Sequence, residues 1–181
     1  MLPRLLGLYS NGSRAGKDSV ARFFVDNCGF EQRNMANNIR QLLLKINPYL
    51  HDGHTLQHVY TKYNGDWDII KAEYPESVDM MIGLGQGARD LISENVWLDS
   101  VFNEFMHNPI VIADIRQPNE YKAIRQRGGQ VWKIVRDSAE IRGMDGLLEG
   151  FEFEHVINNN GTLEDLENEL LWIINYENEG N

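Results

Sequence analysis

Leu5, Leu6, Leu8 and Tyr9 form a short apolar run that reads as a buried strand. From Val20 the period changes: Val20, Ala21, Phe23, Phe24 and Cys28 recur at helical spacing until Gly29 stops the pattern. A second short strand is expected within Phe30–Ala36. A helix follows with Ile39, Leu42, Leu43 and Ile46 on one face, capped by Asn37 or Asn38 and ended by Asn47-Pro48. Tyr49–Pro75 shows no clean period, defines no helix, and reads as a variable lobe or a mobile insertion. Pro75 can start a helix carrying Val78, Met81 and Ile82 into the run Gly83-Leu84-Gly85-Gln86-Gly87. Those glycines either admit close approach of a ligand or neighbouring element, or break the helix.

Trp97, Val101, Phe102 and Phe105 make one helical stripe, read as core. Ile110–Ala113 is a continuous β-branched run, the signature of a strand covered on both faces. Pro118 opens a helix through Tyr121 and Ile124 that stops at Gly128-Gly129, and Val131–Val135 is another strand. Val156-Ile157 makes a last short strand. Thr162 caps a closing helix with Leu163, Leu166, Leu170 and Ile173 inward and Asp165 completing a capping box, and the acidic tail after Ile174 is expected to fray. Strands and helices alternate throughout, which predicts an α/β fold with a mainly parallel sheet between helices.

The 181 residues suit one domain with an inserted lobe. The net charge of −10 comes without any cluster of lysines and arginines, which argues against nucleic acid and anionic membrane as partners and leaves small anionic substrates open. The single cysteine, Cys28, excludes an intrachain disulfide and a cysteine-based zinc site. With neither a long apolar span nor a signal peptide, the expected compartment is the cytoplasm. His51, His54 and His58 lack a recognised zinc signature and read as solvated loop residues.

The candidate chemistry begins in the turn between the first strand and the first helix: Asn11, Gly12, Ser13, Arg14, Ala15, Gly16, Lys17, Asp18 and Ser19. A loop placed there can turn backbone N–H groups toward an anion, add the positive end of the helix dipole and send a lysine, here Lys17, to the outer phosphates. The phosphate-loop consensus G-x-x-x-x-G-K-[ST] is met with two departures. Asn11 replaces the first glycine, and Asp18 takes the hydroxyl position with Ser19 one residue late. A Mg²⁺ contact would then come from Ser19, from Asp18, or through water.

The run ending Asp114-Ile115-Arg116 is the second candidate, because ligands of open α/β sheets bind beyond the carboxyl ends of strands. Asp114 can hold Mg²⁺ directly or through water and Arg116 can clamp a phosphate; a mutual ion pair is the alternative. Arg136–Gly150, with Arg136 and Arg142, has the charged, glycine-bearing character of a lid. Gln86 and Arg89 are candidate ligand contacts, and Arg40 lies on a separate side of its helix from the apolar stripe.

The loop Ser10–Ser19 with its Arg-x-Gly-Lys-Asp-Ser core, the strand ending Asp114-Ile115-Arg116-Gln117, Gly128-Gly129-x-Val, and His155-Val-Ile-Asn-Asn-Asn-Gly-Thr-Leu-Glu-Asp-Leu together resemble the deoxynucleoside monophosphate kinases of bacteriophages. Leu84-Gly85 with Trp97 echoes their central segment. Phosphomevalonate and dephospho-coenzyme A kinases share parts of the same pattern. The resemblance implies a three-layer P-loop kinase fold, a small helical substrate-binding lobe at about 37–95, and a lid at about 136–150. It implies ATP as donor, Mg²⁺, and a deoxynucleoside monophosphate as acceptor. Lys17, Arg14, Asp114 and Arg116 would carry the transfer, Arg136 and Arg142 would close over it, and Arg40, Gln86 and Arg89 would face the acceptor. A location in the host cytoplasm would follow for a phage-encoded enzyme, and a homodimer is admitted. Other acceptors (phosphomevalonate, dephospho-coenzyme A, a hydroxymethylated DNA base) and a nucleotide-binding protein without turnover remain the alternatives.

Overall fold

Successive side chains of a strand point to opposite sides, and the first strand shows what each side meets. In β1 (Leu5–Ser10), Leu6 and Leu8 enter a core with Val20, Phe23 and Phe24 of helix α1 (Lys17–Cys28) and Leu166, Leu170 and Ile173 of the last helix. On the opposite side a Cβ added at Gly7 would meet Ile124, Ile115 and Val131. The computed structural model describes residues 2–12, 14–102, 107–139 and 146–179. Among them five strands form one sheet in the order β2-β3-β1-β4-β5, parallel at every pairing.

The other strands are β2 (Glu31–Arg33), β3 (Ile110–Ile112), β4 (Gln130–Val135) and β5 (Val156–Asn158). Leu6 pairs with Val111 on one side and Gln130 on the other, which places β1 at the centre. α1 and α8 (Leu163–Glu179) cover one face, and α7 (Pro118–Gln126) covers the other through Ile124. The expected α/β layering is therefore observed. Gly29, left-handed at φ 69°, ends α1 with its N–H on the Phe24 carbonyl, as the sequence predicts.

Gly129 shows how tightly α7 is seated. A Cβ there would lie 2.9 Å from the Leu5 carbonyl oxygen and 2.7 Å from Ile124, and a backbone oxygen does not swing aside as a side-chain end does. Gly129→Ala is expected to cost about 1–3 kcal/mol of stability as overpacking, read from urea denaturation curves at unchanged slope.

Met1–Asn34 and Phe105–Asn181 form one compact unit and Met35–Glu104 another. The second unit contains α2 (Met35–Ile46), α3 (Leu56–Lys62), α4 (Trp67–Glu73), α5 (Glu76–Leu91) and α6 (Val96–Phe102) around Leu43, Leu50, Leu56, Val59, Ile70 and Tyr74. The stretch Tyr49–Pro75, where the sequence periodicity defines no helix, contains two helices. Each has seven residues, too few to establish a period, although their N-caps were visible: Thr55 accepts from the His58 N–H and Asp66 from those of Asp68 and Ile69.

Other expectations are corrected here. α2 begins before Asn37 and Asn38, whose side chains instead meet Arg40 and Ser100. Leu42 and Ile46 of its presumed stripe are exposed, as is Leu163 at the start of α8. α8 continues through the acidic tail to Glu179, held by His155 Nε2 at 3.0 Å from Glu177. The glycine run does not break α5; Gly85 is buried, and its carbonyl accepts from Trp97 Nε1 at 2.9 Å. Phe105 lies outside the described residues.

The turn before α3 is bound to the start of α5 by charge. His51 Nδ1 lies 2.6 Å from Glu76 Oε1, whose carboxylate also accepts the His51 N–H. That side-chain hydrogen bond and the Glu76 charge raise the His51 pKa, while the hydrogen bonds from the His51 side chain and backbone lower that of Glu76. The histidine contribution to stability is complete below its unfolded pKa and lost as pH rises through the higher folded one. The glutamate contribution is present above its unfolded pKa and lost as pH falls through the lower folded one. The pair therefore holds best from the ordinary carboxylate range up to the histidine range. In an NMR titration His51 should titrate above a free histidine, and Glu76→Gln should return it toward the ordinary value.

Candidate active site

The polar residue that closes β1 is the base of the site. Ser10 is 3% exposed; its Oγ donates to the Gly12 carbonyl at 2.7 Å and accepts from Lys17 Nζ at 2.5 Å. The lysine side chain therefore reaches back across the loop from the first residue of α1. Arg14 at φ 61° and Gly16 at φ 102° are both left-handed, and Arg14 is exposed. Alternation of left- and right-handed residues is what lets successive amides converge on one point.

α1 starts at Gly16, which supplies no capping side chain, and its first intrahelical bond runs from the Val20 N–H to the Gly16 carbonyl. The amides of Lys17, Asp18 and Ser19 thus belong to the open, positive end of the helix. Asn11, at the consensus glycine, has its side-chain oxygen buried without a hydrogen-bond partner among the described residues. Turning this amide over would exchange the acceptor for a donor at the same position. Ser13 lies outside the described residues.

Asp114 and Arg116 leave β3 at the same edge of the sheet. Ile112 pairs with Gly7, and the Ile115 N–H donates to the Leu8 carbonyl at 3.2 Å, so Asp114 stands level with the end of β1. Arg116 Nε lies 2.7 Å from Asp114 Oδ1, so the two form the ion pair that the sequence left as an alternative. Both side chains are partly exposed.

Glu120, 4% exposed, accepts the N–H groups of Arg116 and Gln117 at 2.9 and 3.0 Å and so fixes the turn from which Arg116 projects. It escaped the sequence reading, although Gln117-Pro-Asn-Glu120 carries the spacing of a capping box. Ser10 and Asn159 were missed as well. Asn159 is 6% exposed, and its Nδ2 donates to the Ala15 carbonyl at 2.8 Å.

The donor set fits Mg²⁺ in kind, because the Asp18 and Asp114 carboxylates and the Ser19 hydroxyl are hard oxygens. Asp18 and Ser19 are exposed on the first turn of α1. Among the described residues no group of three or more His, Cys, Asp or Glu could hold a metal ion. A magnesium ion here would take most of its ligands from phosphates and water, as that ion commonly does.

Arg136 follows β4, and Asp137 next to it donates its N–H to Asn160 Oδ1 at 2.8 Å. Arg142 lies outside the described residues. At the far end of that segment Leu148 is fully buried and Glu149 pairs with Lys133 at 3.1 Å, so residues 146–150 are anchored rather than loose.

Arg40, Gln86 and Arg89 belong to the other unit. Arg40 lies over the Trp67 ring at 5.6 Å and donates from Nη1 to Asn37 Oδ1, while its Nε is buried without a partner among the described residues. Gln86 is exposed and donates to Asp90 Oδ1 at 2.8 Å, and Arg89 lies in the last turn of α5.

Among the described residues no helix is long and apolar enough to cross a membrane. No protein-family model matches this chain, nor does any curated protein. Among solved structures it is similar to the shikimate kinase from Acinetobacter baumannii in complex with shikimate, at 17% identity over 98% of this chain and 95% of that one, with a TM-score of 0.49. It is also similar to the shikimate kinase from Aquifex aeolicus vf5, at 9% identity over 98% and 99% of the two chains, with a TM-score of 0.45.

Proposed function

We propose that this chain transfers the terminal phosphoryl group of ATP to the phosphate of a deoxynucleoside monophosphate. The observation that carries the reading is the loop itself: Lys17 Nζ on Ser10 Oγ, at the mouth of a left-handed turn that opens onto uncapped amides of α1. In this reading those amides and Lys17 take the β- and γ-phosphates of the donor. An oxygen of the acceptor phosphate forms a bond to the γ-phosphorus as the bond from that phosphorus to the β–γ bridging oxygen breaks, and ADP leaves with the electron pair. Such an acceptor is already ionised near neutral pH, so no general base is needed and catalysis rests on positioning and charge.

Arg14 on the exposed tip of the loop and Arg116 beside Asp114 meet the transferring group, joined by Arg136 from the end of β4; the resemblance adds Arg142 to them. Mg²⁺, when bound through Asp18, Ser19 or Asp114, supplies charge neutralisation of the phosphate oxygens. The sequence resemblance assigns Arg40, Gln86 and Arg89 to the acceptor; the unpartnered Nε of Arg40 supports a ligand role within its own unit, since a buried guanidinium nitrogen is costly until an acceptor atom reaches it. The deoxynucleotide acceptor rests on the sequence resemblance.

The test is a coupled ADP-release assay with ATP and Mg²⁺ against a panel of deoxynucleoside monophosphates, with phosphomevalonate, dephospho-coenzyme A and shikimate alongside. Turnover on one or more deoxynucleotides supports the reading and names the base. Turnover only on another acceptor would reassign the substrate, and ATP binding without turnover on any would point to a non-catalytic role.

A further inference from the structure

A peptide group has two ends that point in opposite directions, so whatever holds its carbonyl also aims the next N–H. The Ala15 carbonyl is held by Asn159 Nδ2 at 2.8 Å, from the turn that joins β5 to α8. Asn159 is itself fixed, since its N–H donates to the Val135 carbonyl at 2.8 Å and its side chain is buried. The contact leaves no slack: a Cβ on Gly16 would lie 2.2 Å from Asn159 Nδ2. Gly16 at φ 102° lies in the region where glycine turns freely, so the loop alone does not decide which way this peptide faces.

We propose that Asn159 is a positioning residue for the phosphate loop. By holding the Ala15 carbonyl on the β5 side, it aims the Gly16 N–H away from that side, toward the anion, and keeps a carbonyl dipole out of the phosphate position. The adjacent Asn160 accepts the Asp137 N–H, so the same turn also fixes the exit of β4 beside Arg136. This inference rests on the phosphate-binding reading of the loop and is independent of the acceptor.

The experiment is calorimetric titration of ATP with Mg²⁺, and separately of inorganic pyrophosphate, into the whole chain, with melting curves recorded in parallel. Asn159→Ala removes the donor, and Asn159→Asp replaces it with an acceptor facing a carbonyl. Each is expected to weaken ATP binding about tenfold. Asn158→Asp, which adds the same charge one residue earlier at an exposed position, should stay within about twofold. A protonated carboxyl regains an O–H donor, so the deficit of Asn159→Asp should narrow between about pH 8 and about pH 5.5 while that of Asn159→Ala stays constant. Wild-type affinity in both Asn159 variants, or a loss seen only together with a collapsed melting transition, would overturn the inference. A wild-type chain that binds neither ATP nor pyrophosphate would overturn the phosphate-loop reading itself, and binding without turnover on any nucleotide would overturn only the acceptor.

Discussion

Lys17→Ala is expected to lower kcat for phosphoryl transfer by about 100- to 1,000-fold, the usual loss when one preorganised donor to a developing charge is removed. The side chain crosses the loop to reach Ser10 Oγ, so its charge is in place before any ligand arrives. Ser10 still donates to the Gly12 carbonyl without it, which keeps the loop closed at its base. The melting temperature should therefore move by only a few degrees, separating a chemical defect from a folding one. Lys17→Arg should rescue little, because a planar fork does not reproduce the compact ammonium that reaches Ser10 Oγ. The check is the coupled assay at saturating ATP with melting curves beside it; turnover of the alanine variant near the wild-type rate would remove Lys17 from the mechanism.

Trp132→Ala is expected to be the most destabilising truncation in the sheet, at about 3–5 kcal/mol. Trp132 lies on β4 and is fully buried, with its ring edge-on to Phe24 at 5.3 Å and His155 at 4.6 Å, and its Nε1 donates to Gln130 Oε1 at 2.8 Å. One ring thus ties α1 and the approach to β5 to β4. Removing it leaves a cavity bordered by aromatic groups that sheet geometry prevents from collapsing. A fall in melting temperature of roughly 10 °C follows for a chain of this size, read by circular dichroism. Trp132→Phe should recover most of it, since the ring contacts persist and only the indole hydrogen bond and some volume are lost.

How far the sequence revealed the molecule depended on whether a signal was local. β1, α1 and the loop between them were legible, because an apolar run, a glycine turn and a helical period follow one another within thirty residues. The β-branched run Ile110–Ala113 revealed a buried parallel strand and correctly placed Asp114 and Arg116 at its carboxyl end. α3 and α4 were missed because seven-residue helices are defined by their caps and by Ile70, Val59 and Leu56 packing across sequence distance. Leu42 and Leu163 were misplaced for the converse reason, since apolar residues at helical spacing need not all be covered. Asn159 was the least accessible feature of the site. Its partner, Ala15, lies 144 positions earlier, and no spacing rule connects them.

The order of strands also dictates an order of assembly. Among the described residues β1 pairs only with β3 and β4, so Leu6 meets Val111 and Gln130, both at least a hundred residues downstream. β2 pairs with β3. As the chain leaves the ribosome, β1, the loop with Lys17, and β2 remain without strand partners until residues 110–112 and then 130–135 emerge. The helices α2 to α6 of the second unit pack on one another within that interval. Local contacts form faster than those that must first close a long loop. The helical unit is therefore expected to fold before the sheet, and the phosphate loop, encoded among the first residues, is among the last parts of the molecule to acquire its shape.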